Sequence, residues 1–510
     1  MAGPQPTGKI MKKHNSALAA LLISASLAFG ATGVEAKDLL TVDLVNEPSS
    51  LDPHVQWNPD SYFVYRNIFD NLLTRDNAGK IIPQIATAWT YLSDTEIEFT
   101  IRDDVKFHDG TPLTAEDVVY SVKRITDPAF ASPQLSQFNS ITDAKVTASN
   151  KVVLTTDVAY PALMAQLVKL SIVPKHVVEA VGKDAFNLAP VGSGPYKFVE
   201  WNRGVSVKLA VNDDYWGDKG VFKETLFRAV PDAATRMANL QAKTADLVVT
   251  INSDMAAQLE GRSDVKPLSV LTERVAYFSL NAQKPPMNDP NLRMAVAYAI
   301  DKEGITEGIL GGYDKPVGQF MSPAHFGWIE GLEGTSYDPD KARELVEAAG
   351  DAAKVKFPLL TSPVYDQRVV QAIQQMLGDA GFDVSIEMTD MATWLKDMQA
   401  GPSGIPVSAF SRWSCACQDA DGILFPTLHS SSGWASAGDA DLEAALEAGR
   451  NTLDEAKRLE EYGKAQAILK EQNYLIPLYQ AAIIYGAAGP LEWTPTPNES
   501  LFLNRMGWAE

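Results

Sequence analysis

Cysteine is almost missing from this chain: 510 residues hold two, Cys415 and Cys417, with one residue between them. A C-x-C disulfide closes a very small, strained ring, so an unstrained structural staple between them is not expected. As metal ligands they form an incomplete set, because soft thiolates suit Cu(I) or Zn²⁺ but His429, twelve residues beyond Cys417, is no close partner. A packing or lining role is expected instead, as for buried free cysteines in general. Histidine is also scarce, at six residues with no H-E-x-x-H pair, which leaves no zinc-protease motif. Gly192-Ser193-Gly194 has neither the spacing of a nucleophile elbow nor the G-K-[ST] ending of a phosphate loop. Positive charge is short as well: 44 Lys and Arg stand against 64 Asp and Glu, for a net charge of −20. Without clustered basic residues a phosphate backbone has nothing to bind, so nucleic acid is not expected as a partner. Long apolar runs are confined to residues 17–29, too few to span a bilayer.

That short run is part of a targeting signal. Lys12 and Lys13 form a positive n-region, residues 17–29 an apolar h-region, and Val34-Glu35-Ala36 a cleavage site of the A-x-A kind. Residues 1–36 are therefore expected to be a signal peptide, and Met11 makes a better start for it than Met1. No cysteine stands near the cleavage site to carry a lipid. The expected product is a soluble, unlipidated, acidic protein in the periplasm of a Gram-negative cell, a compartment that favours oxidised thiols.

Alternation organises the next informative stretch. Ile97, Phe99 and Ile101 alternate with Glu98, Thr100 and Arg102, and Val105 and Phe107 keep the same parity, which predicts a half-buried strand. His108-Asp109-Gly110 turns the chain. Thr114 stands where an N-cap belongs, Glu116 and Asp117 put negative charge in the first turn, and Val118, Val119 and Val122 supply a helical face. Residues 39–45 (LLTVDLV) read as a buried first strand, broken by Asn46-Glu47-Pro48. Beyond residue 289 longer amphipathic helices are expected at 292–300, 341–349 and 368–378, each followed by a strand-like run, which argues an α/β lobe. With 510 residues, two lobes are the default.

The string KFHDGTPLTAEDVVYSVKR at 106–124 resembles the signature of the family 5 extracytoplasmic solute-binding proteins, the peptide- and nickel-binding group that serves bacterial ABC importers. The likeness continues in family order through ATAW at 86–89, PVGSGPYKFVEW at 190–201, NDDYW at 212–216, DPNLRMAVAYAIDKE at 289–303 and YDPDKARELVEAAG at 337–350. It ends with Tyr462, Gln466 and Ile468 before Ile476-Pro477-Leu478. The resemblance implies an α/β fold of the large, cluster C periplasmic-binding-protein type, with mixed sheets and an interlobe cleft. It implies lobe I at 37–274, with 481–510 returning to it, and lobe II at 275–480, crossed near 278–281 and 479–481. It implies no enzyme and no cofactor. The implied partners are a small-molecule or peptide ligand and the permease subunits of an importer with cytoplasmic ATPases, bound by a monomer.

For the ligand site, relatives that bind peptides carry Trp-x-x-Asp-x-x-Asp-Pro-Asp, whose first Asp holds the peptide α-ammonium. Aligned on Trp413 that position is Ala416, while Asp419 and Asp421 keep the later acids and Ala420 replaces the Pro. A buried ammonium needs a carboxylate. Either Asp419 or Glu47, at the cleft end of the first strand, takes over the anchor, or the ligand is not a simple peptide. Arg412, Trp413, Cys417, Asp419, Asp421, Glu47 and Tyr277 are the candidate ligand contacts, with Trp394 and Trp434 as further aromatic candidates for the cleft. Peptides are the first expectation; opines, glutathione-like thiols, sugars and nickel complexes are the alternatives. A secreted hydrolase is the rival class, and a chaperone-like periplasmic protein a third.

Overall fold

The strand expected around Phe99 forms at Glu96–Ile101, with Ile97, Phe99 and Ile101 inward and Glu96, Glu98 and Thr100 less covered. Gly110, at φ +89°, makes the turn that follows. The helix Ala115–Thr126 then begins at Thr114. Asp117 fixes that start: its Oδ2 accepts the Thr114 N–H at 2.9 Å, and its Oδ1 accepts the N–H of Lys175, first residue of the helix Lys175–Leu188. One first-turn carboxylate thus caps two helices, and it is buried there.

These relations come from a computed structural model that describes residues 37–55, 58–77, 79–415 and 417–509. The signal-peptide reading of 1–36 and the anchor position Ala416 lie outside the described residues. Lys37–Glu510 is one compact unit. Four strands, Ala86–Ser93, Glu96–Ile101, Lys151–Thr156 and Ile141–Ala148, make an antiparallel sheet in that order. The larger sheet is mixed and has eleven strands, one of which, Lys315–Pro316, pairs with Leu475–Ala488 outside the main order. Its centre is the antiparallel pair Val265–Leu280 and Leu475–Ala488. To one side lie Leu247–Val248, Leu39–Leu44, Glu224–Ala229, Ser206–Val211 and Tyr196–Asn202; to the other, Ser408–Trp413, Phe357–Thr361 and Val384–Met388.

The long pair is the feature that positions the rest. Its register shifts between Leu271 and Val275, and side chains hold the irregularity in place. Thr272 Oγ1 donates to the Ala481 carbonyl at 2.7 Å, Gln480 Nε2 donates to the Thr272 carbonyl at 2.7 Å, and Arg274 pairs with Glu499 at 2.8 Å. The three later helices appear as Pro290–Ala299, Pro339–Ala349 and Gln367–Asp379. Each starts slightly earlier than its apolar period, because Asp289, Asp338 and Asp366 cap the free N–H groups ahead of the first buried residue. The last of them connects the parallel strands Phe357–Thr361 and Val384–Met388, which gives the α/β lobe its crossover. Apolar packing concentrates in distinct clusters, one from residues 72–172, another from 40–249 with 485–506, and a third from 276–481.

Candidate functional site

A cavity of about 830 Å³ lies between residues 136–169 and residues 413–451, within the size range of small-molecule sites. Two other cavities, beside Lys302 and beside Glu273, hold about 20 Å³ each, room for one water. Tyr160, Gln166 and Lys169 form one wall of the large cavity; Trp413, Cys415, Asp421, Phe425, Trp434 and Arg450 stand on the other. Trp413 and Trp434 meet edge to face at 5.0 Å, and Trp413 Nε1 donates to the Gly422 carbonyl at 3.2 Å. These contacts fix an aromatic face before any ligand arrives.

Asp421 is the buried acid of this wall, with 2 % exposure. The Tyr160 hydroxyl donates to its Oδ2 at 2.8 Å, which joins the two walls. Arg450 Nε approaches Oδ1 to 3.2 Å, an ion-pair contact outside hydrogen-bond geometry, so Oδ1 keeps an unfilled acceptor position. The same guanidinium lies 3.8 Å from the Phe425 ring centroid, stacked on its face. Burial pushes the Asp421 carboxyl above the usual range, with Arg450 opposing. Opposite, the Gln166 Oε1 is buried without a hydrogen-bond partner, and Lys169 donates to Gln137 Oε1. Burial pulls the Lys169 ammonium down to about 7 and pushes the nearby Glu273 carboxyl up to about 8. The cavity therefore offers a carboxylate and an amide acceptor together with a titratable cation, a set suited to a ligand with both donor nitrogens and a carboxylate.

Among the residues singled out from sequence, Trp413 and Asp421 border this cavity and Trp434 joins them. Asp419 is placed elsewhere. Its two oxygens take the Arg458 guanidinium at 2.8 and 3.0 Å, and both side chains are buried. Its Oδ1 also accepts the Asp421 N–H at 3.0 Å, while residues 418–420 pair with Phe326. The carboxylate expected as a substitute anchor instead ties its loop to the helix Glu455–Gln472. Glu47 accepts from Trp201 Nε1 at 2.9 Å, pairs with Arg203 at 2.9 Å and does not border the cavity. Tyr277 is buried edge to face with Phe320, Trp394 packs behind Trp434, and Arg412 faces the Tyr365 ring.

The oxidation state that the sequence left open is a disulfide. Cys415 and Cys417 are bonded to each other, with Cα atoms 5.0 Å apart, inside the ordinary range. The chain turns tightly enough because Gln418 adopts φ +51° and its N–H donates to the Cys415 carbonyl at 2.8 Å. Cys415 borders the cavity, while Cys417 lies behind it with no exposure.

The motif residues without catalytic spacing have buried partners. Ser193 Oγ donates to Asp70, and His108 donates from Nε2 to the Gly194 carbonyl and accepts the Gly192 N–H at Nδ1, with burial lowering its ring to about 4. A Ser322–His325 contact of 2.9 Å is enclosed within one turn and does not border the cavity. Sequence reasoning missed Tyr160, Gln166, Lys169, Phe425 and Arg450. Gln166 and Lys169 did leave a signal, as polar interruptions of the apolar run LMAQLVKL at 163–170. Among the described residues no helix is long and apolar enough to cross a membrane.

Comparison with known proteins places this geometry. The family model "Bacterial extracellular solute-binding proteins, family 5 Middle" matches residues 80–434. The glutathione-binding protein GsiB of Escherichia coli (strain K12) is 27% identical over 483 residues, covering 91% of this chain and 93% of the relative. The periplasmic binding protein DppA from Helicobacter pylori, solved with the peptide STSA, is 24% identical, with TM-score 0.80 over 93% of this chain and 99% of its own. AgaA from A. tumefaciens R10, solved with agropinic acid, is 25% identical, with TM-score 0.78 over 92% and 99%.

Proposed function

The chain belongs to family 5 of the bacterial extracellular solute-binding proteins, the substrate-binding components of ABC importers, and we propose that its cargo is a peptide or peptide-like solute held in the 830 Å³ cavity. The observation that carries this reading is the placement of the open Asp421 Oδ1 and Gln166 Oε1 with Lys169 around one cavity. A zwitterionic ligand matches this set, its ammonium against the two open acceptors and its carboxylate on the side of the cation. Asp421, not Asp419 or Glu47, takes the place of the anchor missing at Ala416. Arg412, Tyr277 and Cys417 support the walls from behind. Glutathione and opines share the zwitterionic chemistry, so the relatives that bind them keep those ligands as the alternatives. Permease subunits with cytoplasmic ATPases are the onward partners, and the protein works as a monomer that releases its cargo unchanged.

The lobes run over 37–274 with 481–510, and over 275–480. In support, two apolar clusters draw their buried members from 275–481, with Ala165 alone from outside, and the other three draw theirs from 40–265 and 484–506. Closure bends the long central strands at the 272–274 irregularity, since a ligand touching both walls favours the closed state. The mature chain begins at Lys37, whose ammonium pairs with Asp246 at 2.8 Å and whose carbonyl accepts from Trp508.

Native mass spectrometry of protein from its own periplasm tests the reading. A co-purifying zwitterion on a monomer starting at Lys37, with no lipid mass, is expected. Retention of a sugar or an uncharged ligand would overturn the peptide reading, and a lipid mass or an uncut leader would overturn the proposed location. Small-angle scattering should show a smaller radius of gyration with that ligand, and an unchanged radius at saturation would overturn closure.

A further inference from the structure

We propose that the cavity is also a thiol–disulfide exchange site, in which the Cys415–Cys417 disulfide captures a small thiol-bearing solute as a mixed disulfide on Cys415. The inference rests on the cavity being the cargo site and narrows the cargo to peptide-like molecules with a free thiol.

The two sulfurs are unequal. Cys415 borders the cavity and keeps 8 % exposure, whereas Cys417 has none. An incoming thiolate therefore meets one sulfur, and the buried one is the leaving group. The loop also does little as a staple, because linking residues two apart restricts the unfolded chain only slightly. Room for the pair is made on purpose by the opposite wall of the turn: a side chain at Gly422 would place its Cβ 2.3 Å from Cys417 Sγ and 2.4 Å from Cys415 Sγ. The sulfurs thus rest on the first turn of the helix Asp421–Leu428, whose dipole favours negative charge at that end.

Charge around the turn favours the same step. The Arg75 guanidinium is buried and donates to the Cys417 carbonyl. The acids on either side are already matched, Asp419 by Arg458 and Asp421 by Arg450. A guanidinium held against the Cys417 backbone lowers the cost of a Cys417 thiolate, and a better leaving thiolate speeds exchange. The Cys417 N–H, 3.3 Å from Cys415 Sγ, adds a donor to the sulfur under attack.

The step balances without any outside oxidant. The ligand thiolate attacks Cys415 Sγ, a ligand–Cys415 S–S bond forms, the Cys415–Cys417 bond breaks, and its electron pair leaves on Cys417 as thiolate. The reverse attack by Cys417 on Cys415 restores the disulfide and frees the thiol, so capture and release use one reaction. Asp421 Oδ1 stands on the same wall to receive the ammonium of such a solute.

The mature, oxidised protein is incubated with reduced glutathione, quenched with N-ethylmaleimide and read by intact mass and peptide mapping. One glutathionyl group on Cys415 and one maleimide on Cys417 are expected in the same molecule. In a second measurement, the single thiol of Cys417→Ser should react with oxidised glutathione on the order of tenfold faster or more than that of Cys415→Ser. Glutathionylation of Cys417, equal rates in the two variants, or no adduct while the unfolded chain reacts fully would each overturn exchange. Retention of trialanine without any glutathione adduct would overturn exchange and leave the cargo reading standing. An adduct on Cys415 in a protein that retains no unmodified peptide would support exchange and overturn the peptide reading instead.

Discussion

Replacing Asp421 with Asn keeps the shape of the acid and removes its charge. The Tyr160 hydroxyl, 2.8 Å from Oδ2, can still donate to an amide oxygen, so that bond falls from charge-assisted to neutral strength, a loss of about 1 kcal/mol. Arg450 keeps its place on the Phe425 ring and is about a quarter exposed, so water takes up part of its charge. Desolvation of the carboxylate is relieved at the same time, as its raised pKa shows. These terms offset, and the melting transition of Asp421→Asn should lie within about 1–2 kcal/mol of the unmodified protein. Ligand affinity should respond differently. A bound ammonium loses its charged acceptor at Oδ1, which weakens binding by about 1.5–3 kcal/mol, on the order of tenfold to a hundredfold in Kd. Calorimetric titration of both proteins with the co-purifying ligand, beside thermal melts, separates the two effects. Unchanged affinity in a folded Asp421→Asn protein would refute the assignment of the anchor to this residue. A collapse of stability with no change in affinity would make Asp421 a structural acid.

Asp419→Asn and Arg458→Met should behave in the opposite way, each leaving one buried charge unpaired and destabilising the fold by about 3–5 kcal/mol in a denaturant titration; a stable Asp419→Asn protein with weakened binding would return that residue to the ligand. For Lys169, burial lowers the folded-state pKa from 10.5 to about 7, so the unfolded chain holds the extra proton between these values. Its contribution to stability therefore rises with pH from about 7 to about 10 and is flat below 7. Affinity for a carboxylate-bearing ligand should instead fall as pH passes upward through about 7, and Lys169→Met should flatten that fall; an equal slope in both proteins would remove Lys169 from recognition.

Local order was legible because it follows from neighbours in sequence. The alternation at 97–107, the Thr114 cap and the three helices after residue 289 needed nothing but side-chain parity, first-turn charge and period. The length of the central strands was not, since the run KPLSVLTERV at 266–275 mixes polar and apolar residues in no clean alternation, and pairing with 475–488 overrides it. The segment 412–421 does border the cavity, but not through the acid singled out first. Two acids, Asp419 and Asp421, stand two apart, and which one is consumed depends on Arg458, 39 residues further on. The facing wall gave less still: Gln166 and Lys169 come from a short helix and its end, and their meaning depends on a surface nearly 250 residues away in sequence.

The register of the central strands has a consequence for how such a chain is put together. Val275 sits directly opposite Gln480, so the segment between them begins and ends at neighbouring positions of the sheet, less than about 6 Å apart. In topological terms that segment is a cassette inserted into a ribbon whose two edges were already side by side. Its removal would leave a gap that a short turn can bridge, and its replacement by another cassette would leave the register of 265–271 with 482–488 undisturbed. One wall of the cavity, from 413 to 451, travels wholly with the cassette, and the other, from 136 to 169, wholly with the ribbon. Exchange of the cassette would therefore change one wall of the cavity and leave the other in place.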